Sequence, residues 1–164
     1  LKEYRHLLKD DPDYRERAEK FSRCAADISE FLVKHEFPKP EGHIPLRVTY
    51  HDPCHLVRGQ GIKSQPREIL KAIPGVEYVE MQGADVCCGA AGSFCVTHPA
   101  LSESVGRDKA DHVIATKADV VVSGCPSCLT QLRAMLAAKG SKIKVMHPME
   151  LLAASCKAGG GESK

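Results

Sequence analysis

The 164-residue sequence lacks most of the features that assign a chain to a common functional class. Its formal net charge is only +2, which is too small to indicate nucleic acid or an anionic membrane as a partner. No apolar run approaches the roughly 20 residues that a membrane-spanning helix needs, and no signal peptide is visible. Residues 89–92, G-A-A-G, match neither a G-x-G-x-x-G fingerprint nor a P-loop, which argues against nucleotide binding. The remaining composition is that of an ordinary globular domain with one core.

Cysteine is plentiful, with eight residues in the chain. A secreted disulfide framework would explain this number in a small protein. Two observations argue against a disulfide framework. The chain is long and rich in aliphatic residues, and Cys87 and Cys88 are adjacent, whereas neighbouring cysteines pair poorly with each other. We therefore expect free thiols in the reducing cytoplasm, where they are available to bind metal.

Five of the cysteines follow a spaced pattern. Thirty-two residues separate Cys54 from Cys87. Another 36 residues separate the adjacent Cys88 from Cys125, which forms a C-x-x-C with Cys128. Thiolate sets of this kind suit zinc or iron–sulfur clusters. Structural zinc and an ordinary cubane cluster each take four protein ligands, so a fifth thiol indicates an unusual cluster or one reactive cysteine. The spacing favours an iron–sulfur cluster and leaves zinc as the alternative.

The hydrophobic pattern predicts an α/β fold with a mostly parallel, doubly wound sheet, flanking helices and an N-terminal amphipathic helix. Strands are predicted at 46–50, 76–81, 119–123 and 143–146. Helices are predicted at 12–35, 64–73, 99–117, 126–138 and 148–156. In the helix at 99–117 the predicted buried side chains are Leu101, Val105, Val113 and Ile114. The predicted organisation is a helix and linker at 1–42, a cysteine-rich α/β domain at 43–156 and a disordered tail at 157–164.

Each group of cysteines follows a predicted strand. Cys54 comes after the first strand, Cys87 and Cys88 after the second, and Cys125 after the third. Ligands of open parallel sheets bind outside the carboxyl ends of the strands, so we expect these thiols to meet at one edge. Cys125 also lies at the predicted N-cap of the helix at 126–138, where the helix dipole favours a thiolate.

The order and spacing of the five cysteines, C-x32-C-C-G-x35-C-x2-C, resemble the cysteine-rich CCG domain, and the match covers about residues 47–152. This domain occurs in heterodisulfide reductase, thiol:fumarate reductase, lactate-utilisation proteins and the iron–sulfur subunit of glycolate oxidase. The stretches that are most similar to the last of these lie at 51–55, 87–94, 109–111 and 147–152. The chain starts at Leu1 without an initiator methionine and lacks ferredoxin-type cysteines, so we expect the C-terminal part of a larger protein.

The resemblance implies an iron–sulfur electron-transfer subunit of a glycolate- or lactate-type oxidoreductase. It implies a [4Fe-4S]-type cluster, noncubane in heterodisulfide reductase, whose ligands here are Cys54, Cys87, Cys88, Cys125 and Cys128. The implied partners are an FAD-containing oxidase subunit and the N-terminal ferredoxin-like part of the same chain, in the cytoplasm or, through partners, at the inner face of the membrane. Two alternatives stay open, namely a disulfide-reducing catalytic domain like that of heterodisulfide reductase and a zinc-binding structural or assembly module. No catalytic residue is assigned.

Three histidines lie near the predicted edge. His51 and His55 bracket Cys54, and each is a candidate for hydrogen bonding to cluster sulfur or for proton transfer, with a structural loop role as the alternative. His147 follows the fourth strand and is a candidate for a supporting role at the same edge.

The remaining cysteines and cations have simpler expected roles. Cys24, Cys95 and Cys156 fall outside the pattern; packing is expected for the first two, and the third is expected to be inert. Three cations could offset thiolate charge or bind a partner, namely Arg58, Arg107 and Lys109. Solvated surface charge is the default expectation for each.

Overall fold

The computed structural model describes residues 1–37 and 39–160. The chain divides into two units, Leu1–Phe37 and Pro38–Lys164. Within the described residues, no helix is both long enough and apolar enough to cross a membrane.

The first unit contains three helices, α1 (Tyr4–Leu7), α2 (Arg15–Cys24) and α3 (Ile28–Lys34). The prediction of one continuous helix at 12–35 was therefore wrong. The backbone becomes extended at Ala25 (φ −77°, ψ 114°), and a capping box then starts α3. In this box the Asp27 carboxylate accepts the Ser29 N–H at 2.8 Å, and the Glu30 side chain accepts the Asp27 N–H at 3.4 Å. The apolar spacing continues across the break, which is why periodicity alone did not reveal it.

The apolar side of the first unit stays open to solvent. Tyr14, Phe21 and Ile28, which the periodicity places on one face, are between 43% and 50% exposed. Cys24 is also exposed, so the packing role predicted for it was wrong.

The second unit contains a four-stranded sheet and six helices among its described residues. The strands are β1 (Arg47–Tyr50), β2 (Glu77–Tyr78), β3 (Val120–Val122) and β4 (Lys144–Met146). The helices are α4 (Cys54–Gln60), α5 (Ser64–Ala72), α6 (Phe94–Thr97), α7 (Pro99–Ala115), α8 (Pro126–Ala138) and α9 (Pro148–Gly159). All strand pairs are parallel, in the order β2-β1-β3-β4, which confirms the predicted fold class. Helix α9 continues beyond its predicted end at residue 156, and residues 161–164 of the predicted tail lie outside the described residues.

The sheet is buried on both faces, as the unbroken valine run of β3 indicates. Val120 and Val122 pack with β1, α5 and α9, in a cluster that includes Leu70 and Leu151. Val121 points to the opposite face and packs with α7 and α8, in a second cluster. Alternate residues of one strand therefore support two separate layers of helices.

Helix α7 buries Val113 as predicted, but most of its buried face was not predicted. Its buried residues are Ser102, Gly106, Lys109, Ala110 and Val113. Leu101 is 55% exposed and Ile114 is 37% exposed, so their predicted burial was wrong. The helix buries small and polar side chains because its neighbours include a loop whose backbone carbonyls accept hydrogen bonds from them, and not only an apolar layer.

Candidate metal centre

The site lies where the strand order reverses. Going outward from the centre of the sheet, the chain runs from β1 to β2 on one side and from β3 to β4 on the other. The carboxyl ends of β1 and β3 are adjacent, and pairing continues one residue further because the His51 N–H donates to the Val122 carbonyl at 2.8 Å. Open parallel sheets bind their ligands in the crevice at this position.

A cavity of about 250 Å³ opens at this edge, and all five cysteines of the spaced pattern line it. The full set of lining residues is His51, Asp52, Cys54, His55, Cys87, Cys88, Ala90, Ala91, Gly92, Cys125, Ser127 and Cys128. The predicted convergence of the three cysteine groups is confirmed. The role of each thiol as a metal ligand stays a prediction.

The cavity has a buried floor and an exposed rim. Cys88, Cys125 and Cys128 are buried and pack against one another. Cys54 and Cys87 are exposed, and none of these five thiols forms a disulfide. The local structure explains the difference, since Cys125 is the N-cap residue of α8 and Cys128 lies in its first turn, whereas Cys54 begins the short helix α4 at the surface.

His51 belongs to the floor of the cavity. It is 1% exposed, and its Nδ1 has no hydrogen-bond partner among the described residues. One ring nitrogen of His51 and the Sγ atoms of Cys88 and Cys128 all lie within 4.8 Å of one another. This imidazole and two thiols form a compact set of soft and borderline ligands. The sequence placed His51 beside the site, but its position at the end of a buried strand was the only signal of its depth.

The thiols of the floor share hydrogen bonds that favour a thiolate at Cys88. Hydrogen bonds from the Cys128 thiol, from His51 and from the Ala90 N–H lower the pKa of Cys88 to about 4, and burial opposes them. The pKa of Cys128 is raised because its proton is shared with Cys88 and because it is buried. The arrangement therefore favours the ionised form of Cys88, which is the form that binds metal.

The loop that carries the vicinal cysteines is tied to α7 and α8. The Ser102 hydroxyl donates to the Gly89 carbonyl at 2.8 Å, and the Gln131 amide donates to the Ser102 carbonyl at 3.3 Å. Gly89 has φ of +85°, and a Cβ built on it would lie 2.4 Å from the Ser102 carbonyl oxygen. Glycine is required here because the backbone is left-handed and the helix is in contact. The Gly89 N–H in turn donates to Cys87 Sγ at 3.3 Å.

An ion-pair network supports the loop between β1 and α4. The Asp52 carboxylate is 1% exposed and accepts two hydrogen bonds from Arg67, at 2.8 and 2.7 Å. Arg67 also donates to Glu80 at 2.9 and 2.7 Å and lies over the Tyr50 ring, 5.3 Å from its centroid. These bonds fix the backbone two residues before Cys54.

The sequence of the chain also matches the profile of a protein family. The profile of the cysteine-rich CCG domain matches residues 48–133, which is more than half of the chain and includes all five cavity cysteines. The chain belongs to the CCG family.

Curated relatives of this CCG domain have names that refer to fumarate reductase, lactate utilization and glycolate oxidase. A fumarate reductase (CoM/CoB) subunit of Methanothermobacter marburgensis is 43% identical over 77% of the chain and 26% of its own length. Lactate utilization protein A of Oceanobacillus iheyensis is 35% identical over 93% of the chain and 63% of its own length. The probable glycolate oxidase iron-sulfur subunit of Bacillus subtilis is 38% identical over 93% of the chain and 35% of its own length. The chain thus spans between about a quarter and two thirds of these relatives.

The donor set of the CCG domain fits a metal centre. Free thiols converge from three loops, and one imidazole nitrogen has no partner among the described residues. The lowered pKa of Cys88 favours its metal-binding form. This donor set suits zinc or an iron–sulfur cluster. The small residues at 90–92, which line the same cavity as the thiols of α8, leave the backbone accessible to a bulky group.

Two sequence candidates lie elsewhere in the described structure. His147 caps α9, where its Nδ1 accepts the Met149 N–H at 3.2 Å, and it is not among the residues that line the cavity. Cys95 is half-buried and donates to the Gly92 carbonyl at 3.7 Å. His147 therefore serves the fold, and Cys95 borders the loop without lining the cavity.

Proposed function

We propose that this CCG domain binds an iron–sulfur cluster through Cys54, Cys87, Cys88, Cys125 and Cys128. The observation that carries the proposal is the gathering of all five thiols around one cavity, although they are spread over residues 54–128 of the chain. The relative named as a probable glycolate oxidase iron-sulfur subunit supports the same cofactor.

The size of the cavity favours a cluster over a single ion. A water molecule occupies about 30 Å³ in the liquid, so a cavity of about 250 Å³ has room for a group of several atoms. Five thiols also exceed the four ligands of a structural zinc ion. A [4Fe-4S]-type cluster, with noncubane geometry if all five thiols bind, is the form that we propose.

The proposed role is electron transfer in a subunit of a glycolate- or lactate-type oxidoreductase. When bound, the cluster would supply one-electron redox chemistry. The buried thiols of the floor would hold it, and His51 lies within reach of the Cys88 sulfur. The exposed thiols Cys54 and Cys87 lie at the rim, on the side open to a partner.

We also propose partner subunits, domain boundaries and a location for the chain. The relative named as a probable glycolate oxidase iron-sulfur subunit supports an oxidase-type partner. We propose that this partner is an FAD-containing subunit that donates electrons, and that the N-terminal ferredoxin-like part of the same chain is the second partner. Residues 43–156 form the CCG domain in this proposal, and residues 1–42 form a helical segment and linker that packs against these partners. The cytoplasm is the proposed location, with contact to the inner face of the membrane only through partners.

Anaerobic reconstitution tests the cofactor. The 164-residue chain is purified without oxygen and incubated with iron and sulfide, and then iron, acid-labile sulfide and visible absorption are measured. We expect bound iron and sulfide with a brown charge-transfer band. Protein that stays free of iron after this treatment would overturn the proposal.

Cysteine variants then test the ligands. Each of the five cavity cysteines is changed to serine, and Cys24→Ser and Cys156→Ser serve as controls because both residues are exposed and neither lines the cavity. We expect less bound iron in each cavity variant and wild-type iron in both controls. Iron loss that is equal in the controls and the cavity variants would argue against the ligand assignment.

A zinc-binding structural or assembly module is the second candidate, and one observation favours it. His51, Cys88 and Cys128 already form a compact set of three ligands, and mixed cysteine and histidine sets are common at structural zinc sites. One zinc per chain without sulfide, in protein purified anaerobically, would support this candidate over the cluster.

A further inference from the structure

Lys109 is a deeply buried cation on helix α7. Lys109 is 1% exposed, although solvated surface charge was the default expectation for it. Its Nζ donates to the Gly83 carbonyl at 2.6 Å and to the Ala84 carbonyl at 3.4 Å. Both carbonyls belong to the loop that leads into Cys87. A buried ammonium group is costly unless nearby negative charge compensates it, so its position needs an explanation.

The hydrogen-bonding needs of the loop do not explain this lysine. The Gly83 carbonyl already accepts the Val86 N–H at 3.0 Å, and the Ala84 carbonyl already accepts the Asp52 N–H at 3.0 Å. An apolar side chain at position 109 would therefore leave neither oxygen without a donor. The feature that only the lysine contributes is its positive charge.

Among the described residues, no carboxylate oxygen lies within ion-pair distance of Lys109 Nζ. Asp52 is already paired with Arg67 at 2.7 Å, and Asp85 is exposed to solvent. Burial lowers the pKa of Lys109, and the thiolate of Cys88 is the largest influence that opposes it. The negative charges that act on this cation are those of Cys88, then Asp85, Asp52 and Cys87, so the largest belongs to the cysteine site.

We propose that Lys109 is a positioning residue of the metal centre, whose buried charge offsets the negative charge that the thiolates bring to the loaded site. The inference rests on the proposed function. Each ligating thiolate adds a negative charge, so a centre with four or five of them is anionic, and a fixed cation in a low-dielectric interior stabilises it. When the site is empty, burial outweighs the attraction of Cys88, which lowers the pKa of Lys109 and makes its charge unfavourable. Lys109 thus lowers the stability of the metal-free fold and raises the affinity of the site for metal.

The test compares Lys109→Met and Lys109→Gln with wild type in the full chain. Met keeps the aliphatic stem without charge, and Gln keeps a donor without charge. Arg107→Met is the matched control, because it removes one charge from the exposed side of the same helix, where Arg107 pairs with Glu103 at 2.7 Å. The measurements are thermal unfolding of metal-free protein, Zn²⁺ affinity by competition with a chromophoric chelator, and the midpoint potential of the reconstituted cluster.

We expect both Lys109 variants to fold without metal at a melting temperature equal to or above that of wild type. We expect their Zn²⁺ affinity to fall by about tenfold or more and the cluster potential to become more negative, because reduction adds negative charge to a site that has lost a cation. Arg107→Met should change neither quantity, since an exposed charge is screened by solvent.

The outcomes separate this inference from the proposed function. Wild-type protein that binds neither iron nor Zn²⁺ overturns both. Wild type that binds metal, with Lys109 variants of unchanged affinity and potential, overturns this inference alone. Lys109 variants that unfold at a much lower temperature, or do not fold, also overturn it, because the lysine would then serve the metal-free fold. A Gln variant that behaves like wild type would assign the effect to hydrogen bonding and would equally overturn the role of the charge.

Discussion

Gly89 and Ser102 are in direct contact, and the contact joins the cysteine loop to helix α7. The Ser102 hydroxyl donates to the Gly89 carbonyl at 2.8 Å, and the Ser102 carbonyl fills the space that a Cβ on Gly89 would need. This approach keeps the backbone that follows Cys88 in a left-handed turn, beside the cavity that both vicinal cysteines line.

Gly89→Ala is predicted to damage both stability and metal binding. The left-handed φ and the 2.4 Å approach to the Ser102 oxygen act together, so we expect a loss of about 3 kcal/mol or more in the free energy of unfolding. Gly61→Ala is the control, because Gly61 also has positive φ (+68°) but no atom lies within 4 Å of its built Cβ. It should lose only about 1–2 kcal/mol. Denaturant unfolding of the metal-free proteins measures the difference, and equal losses would contradict the contact.

Arg67→Met is predicted to destabilise the fold strongly. The substitution leaves the Asp52 carboxylate buried without its partner, and breaking a buried pair in this way costs about 3–5 kcal/mol. Arg23→Met, which breaks an exposed pair with Glu19, should cost less than about 1 kcal/mol. The midpoints of denaturant unfolding compare the two variants. A small effect of Arg67→Met would mean that the loop before Cys54 is held by other contacts.

The sequence was sufficient to predict the sheet and the meeting of the thiols, because both depend on local patterns. Valine-rich runs predict strands, and cysteines that follow parallel strands must emerge at one edge. The buried face of α7 was beyond such reasoning. Ser102 and Lys109 are buried because of carbonyl partners 13 and 26 residues away, and a polar residue on a helix carries no sign of a distant partner. The apolar Leu101 was a more typical core residue, yet it is exposed.

The break between α2 and α3 shows a second limit. Asp27 and Glu30 together form a capping signal that is visible in the sequence, but the apolar period across it favoured one helix.

The depth of His51 shows a third limit of prediction from sequence. Its neighbours in the chain pointed to the site, whereas its closeness to Cys88 and Cys128 depends on how α8 and the cysteine loop pack.

The pairing of Glu80 predicts a small pH dependence of stability. The hydrogen bond from Arg67 lowers the pKa of Glu80 below its ordinary value. A lowered pKa in the folded state contributes stability that is complete above the unfolded pKa of about 4.3 and is lost as the pH falls through the folded value. Glu80→Gln should therefore be less stable than wild type at pH 7, by less than about 1 kcal/mol because the side chain is half exposed, and the difference should vanish at low pH. Denaturant unfolding at several pH values measures it, and a difference that grows on acidification would contradict the sign.

The division of the cavity into floor and rim predicts an order of thiol reactivity. In metal-free protein, iodoacetamide should modify the exposed Cys54 and Cys87 before the buried Cys125 and Cys128, because the reagent must reach the sulfur. After reconstitution with iron and sulfide, all four should be protected, since a ligating sulfur is no longer free to react. Cys156 is the internal control, because it is exposed on α9 and does not line the cavity, and its reaction rate should not change. Mass spectrometry of peptides at timed intervals measures each site. Protection of the floor without protection of the rim would reduce the ligand set to the buried thiols and would favour a single metal ion over a cluster.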